Sequence, residues 1–247
     1  MEPSTNHQRA NRVIESHWGM QADRDKARML AQREVAAFVC DAVNLEGLPF
    51  TLPEVQTLLE GITVGGHRIS DQQIVLNQGN AWRWLFEALR AQSFSLSQAV
   101  ACELHAIAAK EEALVWGAFR TGGVTIAGTD WMPPPAAELP ERFARMCRQA
   151  ERLEDIYDRA IWIFLEMARN QFFYDVNKRM GRFMMNGLLL DAGFPAINLP
   201  AHRQLEFNQL MLAFYPSGNH GPMTAFMRSC LDPRLVEIMQ EAPLIPG

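Results

Sequence analysis

Cysteine is scarce in this chain of 247 residues, which contains only Cys40, Cys102, Cys147 and Cys230. They form no C-x-x-C pair, and no histidine stands beside any of them at metal-ligand spacing. The spacing therefore does not indicate a structural zinc site. We expect all four side chains to be reduced thiols that are partly buried in the fold.

Long apolar runs and an excess of positive charge are also missing. No apolar run approaches the roughly eighteen residues that span a bilayer, and the polar N-terminal segment lacks the apolar stretch of a signal peptide. The net charge is -5 at pH 7 and the pI is about 5.7, whereas a dedicated nucleic-acid binder needs a basic face. We therefore expect a cytoplasmic protein whose partners include neither a membrane nor a nucleic acid.

The hydrophobic content of 48% is enough to bury a full core, and most of the chain repeats its apolar residues with a helical period. After a polar extension at residues 1–25, which we expect to be flexible or loosely docked, a first helix ends at Gly47. Thr51 begins a second helix, with Glu54 as its capping-box partner. Further helices are predicted near residues 71–91, 96–113, 138–171, 178–192, 203–213 and 221–231. The predicted fold class is therefore mainly α.

Two short segments interrupt the helical pattern. Residues 62–70 resemble a hairpin-like excursion around Gly65 and Gly66. Residues 119–128 contain a Gly-Gly turn, after which Val124 and Ile126 alternate with polar neighbours. We expect the second segment to form a small β-hairpin, and we expect the prolines at 133–135 to hold the following chain in an extended form.

The stretch 171-QFFYDVNKRMGR-182 concentrates polar chemistry between two predicted helices. The start of a helix offers unpaired N–H groups and a partial positive charge, which attract anions, and Lys178, Arg179 and Arg182 add three full charges there. Asp175 is compatible with a nearby phosphate when a divalent cation lies between them, so we expect a nucleotide with Mg²⁺. The alternative is a salt-bridged helix junction in which Asp175 pairs with Arg179.

The same stretch resembles the signature of the Fic family, in which a histidine is followed by x-F-x-(D/E)-G-N-(G/K)-R-x-x-R. The matching positions are Phe173, Asp175, Asn177, Lys178, Arg179 and Arg182. Two positions depart from the signature, because Gln171 replaces the histidine and Val176 replaces the glycine.

Residues 116–135 (WGAFRTGGVTIAGTDWMPPP) are similar to the family's G-x-(Y/F)-R stretch and flap hairpin. Residues 43–61 (VNLEGLPFTLPEVQTLLEG) look like the family's segment with an inhibitory glutamate, so the similarity covers residues 40–215.

The resemblance implies a Fic fold, which is a helical bundle with a small β-hairpin flap. It divides the chain into the N-terminal extension at 1–25, a helical segment at 26–92, a Fic core at 93–230 and a tail at 231–247. It also implies an activity, the transfer of AMP from ATP to a hydroxyl side chain of a target protein (AMPylation). The partners would then be a nucleotide and an unidentified target protein, and a homodimer is allowed.

The resemblance also implies roles for individual residues. The nucleotide-binding set would be Asp175, Asn177, Lys178, Arg179, Gly181 and Arg182. Within it, Asp175 would hold Mg²⁺, Asn177 would help to form the anion hole, and Arg182 would bind the γ-phosphate. Lys178 and Arg179 would contact phosphates, and the catalytic positions would be those of Gln171, Asn177 and Arg179.

Two further elements carry implied roles. Glu46 would be inhibitory by pairing with Arg182, although the Ser or Thr that the family places four residues earlier is Ala42 here. The flap would dock the target segment through Arg120, Gly123, Val124 and Ile126. For Arg120 an equally good alternative is a salt bridge to a surface carboxylate.

Gln171 determines whether the chain has a general base for the transfer. An amide does not take up a proton near neutral pH, so Gln171 lacks the function of a general base, whose loss typically costs about 10² to 10⁴ in rate. Val176 adopts the positive φ of a glycine poorly, unless the loop takes another conformation and Val176 packs inward. The replacement bases to consider are His105, His202, His220 and Glu46. Two hypotheses follow: an AMPylating enzyme with weak or lost activity, or a non-catalytic nucleotide-binding or partner-binding pseudoenzyme.

Overall fold

The computed structural model describes residues 17–241, and ten α-helices account for most of that range. They are α1 Arg24–Leu45, α2 Leu52–Leu59, α3 Ile69–Arg90, α4 Gln98–Ala108, α5 Leu139–Ala150, α6 Ile156–Asn170, α7 Asn177–Asp191, α8 Gln204–Ser217, α9 His220–Arg228 and α10 Pro233–Gln240. Short 3₁₀ turns at Ala136–Glu138 and Ala201–Arg203 precede α5 and α8. The mainly α class is confirmed for the described residues.

Helices α6 and α7 form the most extensive helix pair of the bundle. The pair approaches closely at Gly181, where an added Cβ would lie 2.9 Å from the carbonyl oxygen of Phe164. Helix α6 has a buried apolar face, on which Ile161, Phe164 and Leu165 are fully inaccessible. Because α1, α3 and α4 also pack against α7 while α5 and α9 pack against α6, this pair positions the loop that joins its two members.

The predicted β-hairpin at residues 119–128 is not observed, and no β-strand occurs between residues 17 and 241. The alternation of burial that a strand would show is nevertheless present. Val124 and Ile126 are half-buried, and residues 123, 125 and 127 are exposed. An extended chain that lies on helices shows the same period as a strand. The residues 62–70 likewise form a turn, with Gly66 at φ 82°, and lead directly into α3.

Other predicted boundaries also differ from the structure. Helix α4 begins after Ser97, whose side chain accepts the N–H of Val100 at 3.3 Å, and it ends at Ala108, whereas the predicted helix covered 96–113. The helix predicted over 138–171 is divided into α5 and α6. Residues 17–23 are docked, because the N–H of Gln21 donates to Met239 at 3.0 Å. Residues 1–16 and 242–247 lie outside the described range, but the predicted tail contains α10.

All four cysteines fall within the described range and are free, three of them half-buried and Cys230 buried. Among residues 17–241, the structure contains no helix whose length and apolar character would suit a bilayer crossing.

Candidate functional site

The loop between α6 and α7 begins and ends with a left-handed backbone conformation. Gln171 ends α6 with φ 49° and ψ 64°, and Val176 precedes α7 with φ 64° and ψ 12°. Between them Phe172 and Phe173 are fully buried, which stabilises the loop by roughly 1.5–3 kcal/mol for each ring. The aromatic side chains therefore anchor the loop in the core, and Asp175 is left exposed.

Arg120 fixes residues 119–135, hereafter the extended segment, against this loop. Its side chain is buried, with Nε donating to the carbonyl of Gln171, Nη1 to that of Gly122 and Nη2 to that of Pro134, each at 2.6 Å. The backbone N–H of Arg120 also donates to the carbonyl of Phe172 at 3.0 Å. Its partners are thus carbonyl groups and not the surface carboxylate of the alternative interpretation.

Asn177 and Gln171 tie the loop together through their side-chain amides. The Oδ1 atom of Asn177 accepts the N–H of Phe173 at 2.9 Å, and its Nδ2 donates to the carbonyl of Phe173 at 2.8 Å. The same Nδ2 donates to Oε1 of Gln171 at 2.9 Å, while Nε2 of Gln171 donates to the carbonyl of Ala168 at 2.6 Å. Both ends of the Gln171 amide are therefore engaged within the protein.

Val176 combines the two conformations considered from the sequence. It retains the positive φ that a glycine would supply, and it also packs inward with only 3% of its surface exposed. A β-branched residue in this region is strained, so the surroundings impose the conformation. The N–H of Val176 donates to Oδ1 of Asp175 at 2.6 Å, which orients the Asp175 carboxylate.

His105 supports the loop from α4 but does not line a cleft. Its ring stacks on Phe173 with 3.8 Å between centroids, Nδ1 accepts the N–H of Gly117 at 3.1 Å, and Nε2 lies 3.3 Å from the carbonyl oxygen of Asp175. Because Nδ1 accepts, Nε2 carries the proton and donates to Asp175. Burial lowers the pKa of His105 to about 4, despite the opposing effect of the Asp175 carbonyl. The ring is thus neutral at pH 7, with both nitrogens occupied.

A cleft with a volume of about 420 Å³ lies beside the loop. Glu46, Gln171, Asp175 and Lys178 line it, together with Ile126 from the extended segment. Helix α8 supplies a further wall consisting of Asn208, Met211, Leu212 and Tyr215. Sequence reasoning did not identify this wall, because its pattern is that of any amphipathic helix, and only the packing of α8 brings it to the loop.

Glu46 caps the end of α1 and reaches the start of α7. Its Oε2 lies 3.5 Å from Nζ of Lys178, and its Oε1 lies 3.7 Å from Nη2 of Arg182. Burial raises the pKa of Glu46, but Lys178, Arg179 and Arg182 outweigh burial and bring the pKa below its ordinary value. Burial lowers the pKa of Arg182 to about 10. Both partners are therefore charged at pH 7, in the pairing that the inhibitory assignment requires.

Arg179 has a partner that the sequence did not indicate. Its two Nη atoms donate to the two carboxylate oxygens of Glu112, in the turn after α4, with Nη1 2.9 Å from Oε2. Arg179 is only 4% exposed, and it lines a small cavity of about 20 Å³ with Arg182 rather than the large cleft. The adjacent Glu111 carries the same charge, so the sequence offers no signal for which acid turns toward α7. The pairing of Arg179 with Asp175 that the alternative interpretation required is not the one observed.

The other predicted residues lie at varying distances from the cleft. Of the predicted flap residues, only Ile126 lines it. Gly181 faces α6, where its lack of a side chain permits the close helix contact. His202 is exposed, and His220 lies 3.0 Å from Glu166 and stacks on a tryptophan of α6. None of these histidines lines the cleft.

Comparison with known proteins matches residues 95–189 to the sequence model of the Fic/DOC family. "Protein adenylyltransferase Fic" from Drosophila persimilis is 24% identical over 201 residues, which cover 78% of this chain and 39% of that protein. The protein of the same name from Drosophila melanogaster is also 24% identical over 201 residues, with coverages of 78% and 40%. The chain thus spans about two fifths of the length of these relatives.

Solved structures are similar over nearly the whole chain. Residues 134–508 of Fic-1 from C. elegans superpose with a TM-score of 0.75 at 18% identity, covering 94% of this chain and 69% of that one. A Fic domain containing signaling protein from Bacteroides thetaiotaomicron gives a TM-score of 0.73 at 15% identity, with coverages of 96% and 99%. At these identities the likeness concerns the fold.

Proposed function

Because residues 95–189 match the sequence model of the Fic/DOC family, we propose that this chain binds ATP with Mg²⁺ beside Asp175. We further propose that it transfers AMP slowly to a hydroxyl group of a target protein. In that transfer the hydroxyl oxygen bonds to the α-phosphorus, the bond from the α-phosphorus to the bridging oxygen breaks, pyrophosphate leaves, and the hydroxyl proton passes to solvent water. The observation that supports the proposal most directly is that one cleft gathers Asp175, Lys178 and Glu46 at the start of α7.

The start of α7 is suited to phosphate groups. No side chain caps α7, so the N–H groups of its first turn and the positive end of the helix dipole remain for an anion. Lys178 lines the cleft and supplies a full positive charge. Arg182 stands behind Glu46, and it becomes available to a terminal phosphate when that carboxylate moves away. Phosphate binding and the Glu46 contact are therefore expected to compete.

The residues of the cleft fit a Mg²⁺ ion that is held jointly with a nucleotide. Between residues 17 and 241 no group of three or more acidic, histidine or cysteine side chains is arranged to hold a metal alone. Mg²⁺ usually takes one or two protein carboxylates and completes its coordination with phosphate oxygens and water. Asp175, an exposed carboxylate on the cleft wall, would hold the ion, which offsets the charge of the phosphates.

Asp175→Ala is expected to abolish the Mg²⁺ dependence of ATP binding, because it removes the only side chain proposed as a metal ligand. Isothermal titration of ATP with and without Mg²⁺ measures this. Asp175→Asn retains an oxygen for the N–H of Val176 and separates loss of the metal from loosening of the loop. The exposed Asp130 of the extended segment provides a matched control as Asp130→Asn. A retained dependence in Asp175→Ala would place the metal elsewhere.

Glu46→Gly is expected to tighten the binding of Mg²⁺-ATP by about tenfold or more, because a carboxylate about 4 Å from a phosphate charge costs roughly 1 kcal/mol in water and roughly 4 kcal/mol at the effective dielectric of a protein surface. Glu46→Gln tests whether charge or volume matters. Unchanged affinity in both variants would contradict an inhibitory role for Glu46.

The transfer itself is tested with ATP labelled on the α-phosphate, in parallel with ATP labelled on the γ-phosphate. The natural chain and Glu46→Gly are incubated with cell lysate and Mg²⁺, and labelled proteins are resolved on a gel. We expect slow labelling from the α-phosphate alone, faster with Glu46→Gly. Label from the γ-phosphate alone would indicate phosphoryl transfer and would contradict the proposal.

A non-catalytic nucleotide-binding protein is the second candidate. The engagement of both ends of the Gln171 amide within the protein favours it, since that side chain then neither accepts a proton nor readily turns toward a substrate hydroxyl. This candidate predicts Mg²⁺-dependent binding of ATP without label transfer in the natural chain and in Glu46→Gly.

A further inference from the structure

Three positive and three negative side chains meet around the start of α7. They are Lys178, Arg179, Arg182, Glu46, Asp175 and Glu112. The charges of these six side chains cancel, and of the three carboxylates only Glu112 was not among the residues predicted from the sequence. A polyphosphate is attracted by net positive charge, so each of the carboxylates lowers the affinity of this cluster for a nucleotide. Glu46 and Asp175 line the cleft and act at close range, but Glu112 does not line it.

Glu112 acts on the cluster through Arg179. The two side chains form a bidentate pair, with side chains that are 16% and 4% exposed. The same arginine has a buried Nε with no hydrogen-bond partner, and its head lies by the small cavity rather than the cleft. A guanidinium held in this way cannot reach a phosphate in the cleft.

We infer that Glu112 is a positioning residue that holds Arg179 away from the nucleotide and cancels its charge, so that Glu112 and Glu46 jointly limit the affinity of the cleft for polyphosphate. The inference rests on the proposed function. Under this inference Lys178 and the first backbone amides of α7 contact the phosphates directly. Arg182 also contacts a phosphate once the Glu46 carboxylate moves away. Arg179 contributes through its charge, and it becomes a stronger contributor when Glu112 is neutral.

A pair with a merely structural role would behave differently. If the contact only joined the turn after α4 to α7, then loss of either partner would loosen the start of α7, and both losses would weaken nucleotide binding. If the charge of the pair matters, the two losses act in opposite directions. Removing Glu112 adds net positive charge near the phosphates, and removing Arg179 subtracts it.

The test compares Glu112→Gln and Arg179→Gln in the Glu46→Gly background, using calorimetric titration with Mg²⁺-ATP. At low ionic strength we expect Glu112→Gln to tighten binding by about tenfold, the order of magnitude of removing one nearby unit charge without direct contact. We expect Arg179→Gln to weaken binding by a similar factor. Added salt should shrink both effects, because screening weakens interactions between charges. Weaker binding in both variants, or no change in Glu112→Gln, would overturn the inference.

Controls separate this inference from the proposed function and from misfolding. Glu141→Gln removes one partner of an exposed ion pair with Arg148 and should leave ATP affinity unchanged. Thermal melts identify the fraction folded in each variant, and binding is measured below the lowest melting temperature. If Glu46→Gly binds ATP but Glu112→Gln does not tighten binding, only the inference fails. If neither Glu46→Gly nor Glu112→Gln binds Mg²⁺-ATP, the proposed function fails as well.

Discussion

Replacing Gln171 by histidine should raise the rate of AMP transfer by about 10² to 10⁴, which is the usual contribution of a positioned general base. The backbone of this position favours the substitution. Gln171 has φ 49°, and histidine is among the residues that tolerate the left-handed region better than most. The backbone carbonyl of Gln171 accepts a hydrogen bond from Nε of Arg120 at 2.6 Å. This bond does not depend on the side chain at position 171.

The measurement is the initial rate of label transfer from the α-phosphate of ATP, compared between the natural chain, Gln171→His and Gln171→Asn. The asparagine variant controls for the loss of the glutamine contacts without supplying a base. An imidazole acts as a base only when neutral, so the rate of Gln171→His should rise with pH through a pKa near about 6.5.

Equal rates and equal pH profiles for the natural chain and Gln171→His would mean that another group already removes the proton. Glu46 is the candidate for that task, since it lines the same cleft as Gln171 and, unlike Asp175, is not assigned to the metal. Label that appears only in Gln171→His would instead identify the natural chain as a pseudoenzyme with an intact nucleotide site.

Arg120→Met should lower the free energy of unfolding by about 3 kcal/mol, because it leaves several buried carbonyl groups without a donor. The side chain donates to carbonyls at 170, 171, 122 and 134, and a methionine of similar length replaces none of these bonds. For a chain of this size the melting temperature should fall by roughly 6–12 °C.

Urea denaturation and thermal melts measure the loss, with Arg148→Met as the control. Arg148 forms an ion pair whose side chains are 57% and 73% exposed, and its removal should change stability by no more than about 0.5 kcal/mol. Arg120→Lys should fall between the two, since it keeps one charge but only part of the donor fork. A loss in Arg120→Met as small as in the control would contradict the role of Arg120 as the link between the extended segment and α6.

Local signals in the sequence predicted the parts of the fold that depend on neighbouring residues. Thr51 and Glu54 pair at the start of α2, with the N–H of Thr51 2.8 Å from the Glu54 carboxylate, as expected of a capping box. The loop from Gln171 to α7 was located from its own motif. Such features depend on spacing within a few residues.

Contacts between distant segments could not be predicted in the same way. Glu112 and Arg179 are 67 residues apart in the chain. The sequence does not indicate whether Glu111 or Glu112 would pair with the arginine. The wall formed by α8 depends on how that helix packs. The absent hairpin has a related cause, because alternation reports an extended chain and does not report whether a neighbouring strand exists to receive its hydrogen bonds.

The contact at Gly181 determines which parts of this protein can respond to a ligand. Since α7 approaches the backbone and ring of Phe164 on α6 so closely at Gly181 that a Cβ there would collide with them, a shift of one helix past the other would meet close-packed atoms. We therefore expect the helix pair beneath the cleft to move little. We expect opening and closing at its rim, namely the end of α1 that carries Glu46 and the part of the extended segment between the two points, Gly122 and Pro134, that Arg120 secures. Structures determined with and without nucleotide should superpose closely on the helix pair and diverge at those two places.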